Sequence, residues 1–180
     1  MAAFEIQSAF ISYLNTKGIP SLTEVPLLGG ISRADVVAIK NGVHGFEIKS
    51  DLDTLRRLPS QIASYSKVFN TVSIICDERH LEKVKAQTPG WFGLILFKGG
   101  VLIDVREAKE NPIVTVPYIL KSLTKREIMN YVGQIGLNLP PAASRSIMQL
   151  KKHLKGCMSL EETQQMFADC LFLREPNFSL

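Results

Sequence analysis

Two carboxylates and one lysine lie near each other in segments that have the pattern of β-strands. Asp35 belongs to the β-branched run ADVVAI, and Glu47 and Lys49 belong to FEIK further along the chain. Side chains two apart on a strand share one face, so Glu47 and Lys49 project to the same side. The turn signal Asn41-Gly42 between the two runs predicts an antiparallel hairpin that returns Asp35 to the side of Glu47.

Burying two ionised carboxylates on one sheet surface costs free energy unless a cation compensates their charge. Ligation by oxygen alone favours Mg²⁺ or Mn²⁺. The backbone carbonyl of Ile48, which lies between the two side chains of the second strand, is a candidate third ligand. The pattern therefore predicts a magnesium or manganese site at Asp35, Glu47 and Ile48. The alternative is a surface hairpin whose acidic and basic residues form weak, exposed ion pairs.

Alternating helical and strand periodicities surround this hairpin and predict an α/β core over residues 1–110. Strands are predicted over 23–28, 34–39, 43–49, 71–76, 92–97 and 101–105. Helices are predicted over 4–14, 59–68 and 78–87. Pro26 places the first strand at an edge of the sheet, because proline cannot donate to the ladder.

Residues 111–180 are predicted to form a helical C-terminal extension that follows a polar, proline-containing connector. Its helices are predicted over 119–123, 124–135, 144–154 and 159–173, and Thr124 with Glu127 and Ser159 with Glu162 match the capping-box pattern. The helix–link–helix part resembles SAP-type DNA-binding motifs in outline, although Pro140 and the residues after it replace the usual glycine and lysine.

Positive charge is concentrated in this extension. Residues 121–155 contain seven Lys or Arg and one Glu, whereas residues 1–120 contain 13 basic and 12 acidic residues. A basic segment beside a nearly neutral domain is typical of proteins that bind a polyanion, and DNA is the expected partner. The candidate DNA-binding residues are Lys125, Arg126, Arg145, Lys151, Lys152 and Lys155. The alternative is a helical cap that packs on the core or on another subunit.

Composition excludes several classes of protein. Hydrophobic residues make up 46% and charged residues 21% of the 180 residues, which excludes a wholly disordered chain. No apolar run approaches the roughly 20 residues of a membrane span, and the N-terminus lacks the pattern of a signal peptide. The three cysteines show no CxxC spacing, which argues against a disulfide framework or a cysteine zinc site. We therefore expect a cytoplasmic protein without membrane contact; assembly into a homo-oligomer stays open.

The ordered set of these residues resembles the PD-(D/E)xK nuclease superfamily, in particular its small stand-alone bacterial and phage proteins. Asp35 matches the D of the motif, with Ala34 in place of its proline, and Glu47 and Lys49 match the (D/E)xK. Gln61 and Tyr65 resemble the QxxxY element that follows the motif in several branches. The resemblance covers residues 1 to about 105.

The resemblance implies a restriction-endonuclease-like core, a mixed sheet flanked by helices, that hydrolyses phosphodiester bonds in DNA with Mg²⁺ or Mn²⁺. It implies catalytic roles for Asp35, Glu47, Lys49 and Gln61. Glu5 is the candidate for the additional metal-binding acid that the family often carries in its first helix, and Glu24 on the next segment is a weaker alternative. Two alternatives stay open: a catalytically inactive nuclease-like module that binds nucleic acid or protein, and an RNA-directed nuclease in defence.

Overall fold

The hairpin predicted from Asn41-Gly42 forms, and it lies inside a six-stranded sheet. In this computed structural model, which describes residues 3–174, Asn41 and Gly42 both have positive φ, 51° and 125°. A tight turn that connects twisted antiparallel strands needs this conformation, and asparagine and glycine adopt it at the lowest cost.

The sheet is mixed, with strand order β1-β2-β3-β4-β5-β6. Strands β1 to β3 form an antiparallel meander, β3, β4 and β5 are parallel to one another, and β6 returns antiparallel to β5. The strands are β1 (Ser21–Leu27), β2 (Ser32–Ile39), β3 (Val43–Lys49), β4 (Thr71–Cys76), β5 (Gly93–Lys98) and β6 (Val101–Arg106). The helices are α1 (Ala3–Thr16), α2 (Leu58–Tyr65), α3 (Glu78–Gln87), α4 (Val116–Lys121), α5 (Lys125–Gln134), α6 (Ile147–Cys157) and α7 (Leu160–Phe172).

One face of the sheet is covered by α1. Its residues Ile6, Phe10 and Leu14 recur at helical spacing, so they form a single apolar stripe, and all three are buried. They pack in one cluster with sheet residues that include Val36 and Ile48. Helix α1 therefore packs against the hairpin of β2 and β3 that carries Asp35 and Glu47.

The other face is covered by α2, α3 and the four C-terminal helices. Phe167 of α7 lies 6.4 Å from Phe69 between ring centroids, and both side chains are buried. Buried residues of α4, α5, α6 and α7 belong to the same hydrophobic cluster as residues of β2 and β4. The Leu28 amide also donates a buried hydrogen bond to the Ser122 hydroxyl. The helical extension, described as far as residue 174, therefore shares its core with the sheet.

The α/β class, the order of the elements and the helical extension agree with the sequence predictions. Both capping boxes form, at Thr124 with Glu127 and at Ser159 with Glu162. Differences are confined to ends: α2 stops at Tyr65, and a 3₁₀ turn over Leu55–Arg57 precedes it. No helix within residues 3–174 has the length and apolar character to cross a bilayer.

Candidate active site

Asp35 lies where β2 separates from β3. The antiparallel pairing of the two strands ends at Val36 opposite Phe46. Beyond that point the Ile48 amide of β3 donates to a side chain of β2, because Asp35 Oδ2 accepts its hydrogen bond at 2.7 Å. The strand separation therefore directs the Asp35 carboxylate toward β3, beside the residues that the sequence predicted as its partners.

Glu47 and Lys49 form an ion pair that is almost completely buried. The Lys49 Nζ to Glu47 Oε1 distance is 2.6 Å, and the two residues are 2% and 1% exposed. Gln61 of α2 connects them, because its Nε2 donates to Glu47 Oε1 and its Oε1 accepts from Lys49 Nζ at 3.0 Å. The Tyr65 hydroxyl, also on α2, donates to Glu47 Oε2. Three side-chain donors thus hold the Glu47 carboxylate.

Burial and the charges around Asp35 raise the proton affinity of its carboxylate. Burial, followed by the nearby Glu47 carboxylate, raises the pKa of Asp35 from 3.8 to about 7, against the opposing effects of the Ile48 amide and the Lys49 ammonium. Burial and the same carboxylates also raise the pKa of the Tyr65 hydroxyl, so that it remains a proton donor. With both acids ionised, the cluster carries more negative charge than Lys49 alone neutralises.

Two residues of the cluster, Asp35 and Gln61, reach a cleft of about 610 Å³, whereas Glu47 and Lys49 lie buried behind them. Asp35 and Gln61 contribute to its lining, and Arg33, Arg57 and Ser60 lie on its walls. A space of this size fits a small ligand or a short segment of a longer one. Asp35 therefore faces a compartment that a substrate can enter.

The donor set fits a hard divalent cation. An ionised carboxylate has about four acceptor positions. The hydrogen bonds formed by the described residues use one position of Asp35 and three of Glu47, which leaves capacity on both. However, no group of three or more His, Cys, Asp or Glu side chains within residues 3–174 is arranged to hold a metal ion. Asp35 and Glu47 would therefore form only part of a coordination shell, with water or phosphate completing it.

Glu5, the predicted first-helix ligand, and Gln7 lie two residues apart on α1. Glu5 is exposed near the start of the helix, about 200° around the helix axis from Gln7. Gln7 donates its side-chain amide to the Asp35 backbone carbonyl at 3.1 Å. Gln7 is therefore a first-helix residue with a hydrogen bond to the site strand. No group of three or more acidic, His or Cys side chains within residues 3–174 is arranged to hold a metal ion, so a ligand role for Glu5 stays a prediction.

The six basic residues predicted to bind DNA lie in different surroundings. Lys151 donates to the Leu123 carbonyl at 2.8 Å, and partial burial lowers its pKa, so its ammonium contributes to the packing of α6 against α4. Lys152 and Lys155 are exposed beside it. Lys125 contacts the backbone carbonyl of Arg145 at 3.4 Å. Arg126 lines a separate cavity between α5 and α7.

The sequence did not predict three residues next to the cluster, the amide side chain of Gln7 and the guanidinium groups of Arg33 and Arg57. Gln7, Arg33 and Arg57 carry no local motif, and only the packing of α1 and α2 on the hairpin brings them to the site. One signal was available for Arg57, which precedes Gln61 by four residues and so shares its helix face.

Comparison with known proteins gives the family. The chain belongs to the bacteriophage P4 protein cII family, whose family model matches residues 3–175. Protein cII of Enterobacteria phage P4 is 25% identical over an alignment of 158 residues, and the alignment covers 81% of this chain and 58% of that protein. The chain thus spans less than two thirds of the length of this curated relative.

Among solved structures, the chain is similar to the SPO1766 protein of unknown function from Silicibacter pomeroyi. The two share 16% sequence identity with a TM-score of 0.48, over 75% of this chain and 93% of that one.

Proposed function

We propose that this member of the bacteriophage P4 protein cII family is a metal-dependent nuclease that hydrolyses phosphodiester bonds in DNA. The observation that carries the proposal is that Gln61 is hydrogen-bonded to the buried Glu47–Lys49 pair and lines the same cleft as Asp35, whose pKa the Glu47 carboxylate helps to raise. A purely structural hairpin has no need to place a carboxylate of raised pKa at a cleft, directly beside a buried carboxylate–lysine pair. Such a cluster can bind a cation, a phosphate and a water molecule next to one another.

The same proposal assigns the fold to the restriction-endonuclease-like group. An antiparallel hairpin that carries the acidic residues, followed by a parallel strand–helix–strand unit, supports this assignment. The position of α2, whose Gln61 contacts the hairpin, supports it as well.

Asp35 and Glu47 would hold Mg²⁺ or Mn²⁺. When bound, the ion would polarise the scissile phosphate and lower the pKa of a water molecule. Its charge would also offset the two effects that raise the pKa of Asp35, burial first and then repulsion by the Glu47 carboxylate. Ile48 orients Asp35 through its amide, and its carbonyl is proposed as a further ligand.

Lys49 would act on the reacting groups, and Gln61 would position it. The Lys49 ammonium already lies between Glu47 and Gln61, so its direction is set before any substrate binds. A preorganised positive charge stabilises the negative charge that develops on the phosphate, and at low dielectric this effect is large. Tyr65 holds Glu47 from the opposite side and so keeps the carboxylate in place.

A second candidate is a catalytically inactive module that binds nucleic acid or protein. The near-complete burial of the Glu47–Lys49 pair favours it, because a buried, fully hydrogen-bonded ion pair can serve structure alone. An RNA-directed nuclease is the third candidate.

Incubation of the purified protein with plasmid, single-stranded DNA and RNA, each with Mg²⁺, Mn²⁺ or EDTA, separates the three candidates. We expect cleavage of DNA with either metal and none with EDTA. Cleavage of RNA alone would support the third candidate. Absence of metal-dependent cleavage of every substrate would contradict the nuclease proposal and leave the binding module. In the same assay Lys49→Ala should lose metal-dependent cleavage, whereas Lys40→Ala, a lysine substitution next to the exposed hairpin turn, should retain it.

A further inference from the structure

Three side chains of the α2 region form one row that leads from the buried ion pair to the mouth of the cleft. Gln61 and Tyr65 are four residues apart on α2 and so lie on one face of it, and Arg57 is the residue that caps the start of the helix, four positions before Gln61. Tyr65 is buried against Glu47, Gln61 is half-buried, and Arg57 is exposed on the cleft wall. Four residues correspond to about 6 Å of helical rise, so Arg57 begins about 6 Å beyond Gln61.

The Arg57 guanidinium is available for an anionic ligand. It forms no salt bridge with any carboxylate in the part of the chain that the structure describes. Arg33, from β2, brings a second guanidinium to the same cleft, where it pairs with Glu24 at 2.7 Å. Both members of that pair are more than half exposed, so the interaction is weak and a phosphate can replace Glu24.

We propose that Arg57 binds the backbone phosphate next to the one held at the Asp35–Glu47–Lys49 cluster, on a single strand of DNA. This inference rests on the proposed function and deepens it by naming the substrate segment that the cleft holds. A guanidinium suits this role because it binds phosphate oxygens in a bidentate manner and stays charged. The cleft has the volume of a small-ligand pocket, so it takes one or two nucleotides of one strand.

The neighbouring Arg56 provides a matched control. Both arginines are exposed and lie in the 3₁₀ turn over Leu55–Arg57, but only Arg57 lines the cleft. Arg56→Gln and Arg57→Gln therefore remove the same charge from adjacent positions. A general loss of positive potential affects both variants equally, whereas a direct phosphate contact affects only Arg57→Gln.

The test is binding of a fluorescently labelled 12-nucleotide single-stranded DNA, measured by anisotropy over a range of salt concentrations. Ca²⁺ replaces Mg²⁺ throughout, because it binds the same oxygen ligands and is a weaker Lewis acid, so the proposed cation site can be filled while cleavage is suppressed. We expect Arg57→Gln to weaken binding about tenfold or more at low salt, the scale of one lost hydrogen-bonded charge contact. The slope of log affinity against log salt should become shallower by about 0.7, the contribution of one phosphate contact on a single strand. Arg56→Gln should change neither quantity by a comparable amount.

Equal effects of the two substitutions, no effect of Arg57→Gln, or no binding by the unsubstituted protein would each overturn the inference. Circular dichroism melts of both variants verify that they fold. Because the assay needs no turnover, an Arg57-specific loss supports the contact even if the protein cleaves nothing. Failure of this inference is therefore distinguishable from failure of the nuclease proposal.

Discussion

Replacing Asp35 by asparagine should make the folded protein more stable at alkaline pH. Asparagine has the same shape, and its side-chain oxygen can still accept the Ile48 amide hydrogen bond, but it cannot ionise. The substitution therefore removes the repulsion between Asp35 and Glu47 and the cost of burying a second charge. A functional carboxylate retained at a cost in stability is typical of an active site.

The pH window follows from the direction of the pKa shift. The pKa of Asp35 is raised from 3.8 to about 7 in the folded protein, so the folded state holds this proton more tightly than the unfolded chain. The stabilisation from protonated Asp35 is complete below about pH 4 and is lost as pH rises through 7. A shift of about three units corresponds to at most roughly 4 kcal/mol at 1.36 kcal/mol per unit.

The assay is urea unfolding of the unsubstituted protein and Asp35→Asn at pH 5 and pH 8.5, in EDTA at constant ionic strength. We expect the advantage of the variant to grow by about 2 to 3 kcal/mol between the two pH values, since about two units of the shift lie between them. The melting temperature of the variant at pH 8.5 should be higher by about 5 °C or more. Asp104→Asn, on the exposed edge strand β6, is the matched control.

An advantage that does not change with pH, or a variant less stable at pH 8.5, would refute this reasoning. Either result would mean that Asp35 is not a strained, part-buried acid beside Glu47.

Three further predictions concern the neighbouring residues and the extension. Lys49→Ala should slow cleavage about a hundredfold or more. It should also lower the free energy of unfolding by about 3 to 5 kcal/mol, because Glu47 stays buried without the Lys49 ammonium. Cleavage rates measured at low temperature and divided by the folded fraction separate the two effects. Tyr65→Phe should cost about 1 to 3 kcal/mol in urea unfolding, since one Glu47 oxygen loses its donor, and an unchanged midpoint would contradict that contact. Replacing Lys152 and Lys155 by glutamine should flatten the salt dependence of duplex-DNA binding by about 1.8 units if both contact phosphate, whereas an unchanged slope would identify the extension as a structural cap.

The sequence was sufficient for the hairpin and for the neighbourhood of its acidic residues. Asn41-Gly42 specifies a tight turn by local conformational preference, and the two-residue period of a strand puts Glu47 and Lys49 on one face. Both signals lie within a few residues of the side chains concerned, so no tertiary information was needed. The capping boxes at Thr124 and Ser159 are local in the same way and were confirmed.

Features that depend on long-range packing could not be predicted. The hydrogen bond from Gln7 to the Asp35 carbonyl depends on the rotation of α1 about its own axis. The apolar stripe of α1 shows which face is buried but does not fix this rotation closely enough to predict the contact. The burial of the Glu47–Lys49 pair depends on α2 closing over it. The shared core of the extension and the sheet depends on contacts such as Phe69 with Phe167, nearly a hundred residues apart.

Cleavage by Asp35→Asn at pH 8.5 with saturating Mg²⁺ tests most directly whether the cluster is catalytic. The asparagine side chain can still accept the Ile48 amide hydrogen bond, and thermal melts of both proteins in the assay buffer verify that each is folded at the assay temperature, so that lost activity is not a result of unfolding. The account predicts that the unsubstituted protein cleaves DNA and that Asp35→Asn cleaves it at least about a hundredfold more slowly. Equal rates for the two proteins would contradict the assignment of Asp35 to a metal-dependent active site.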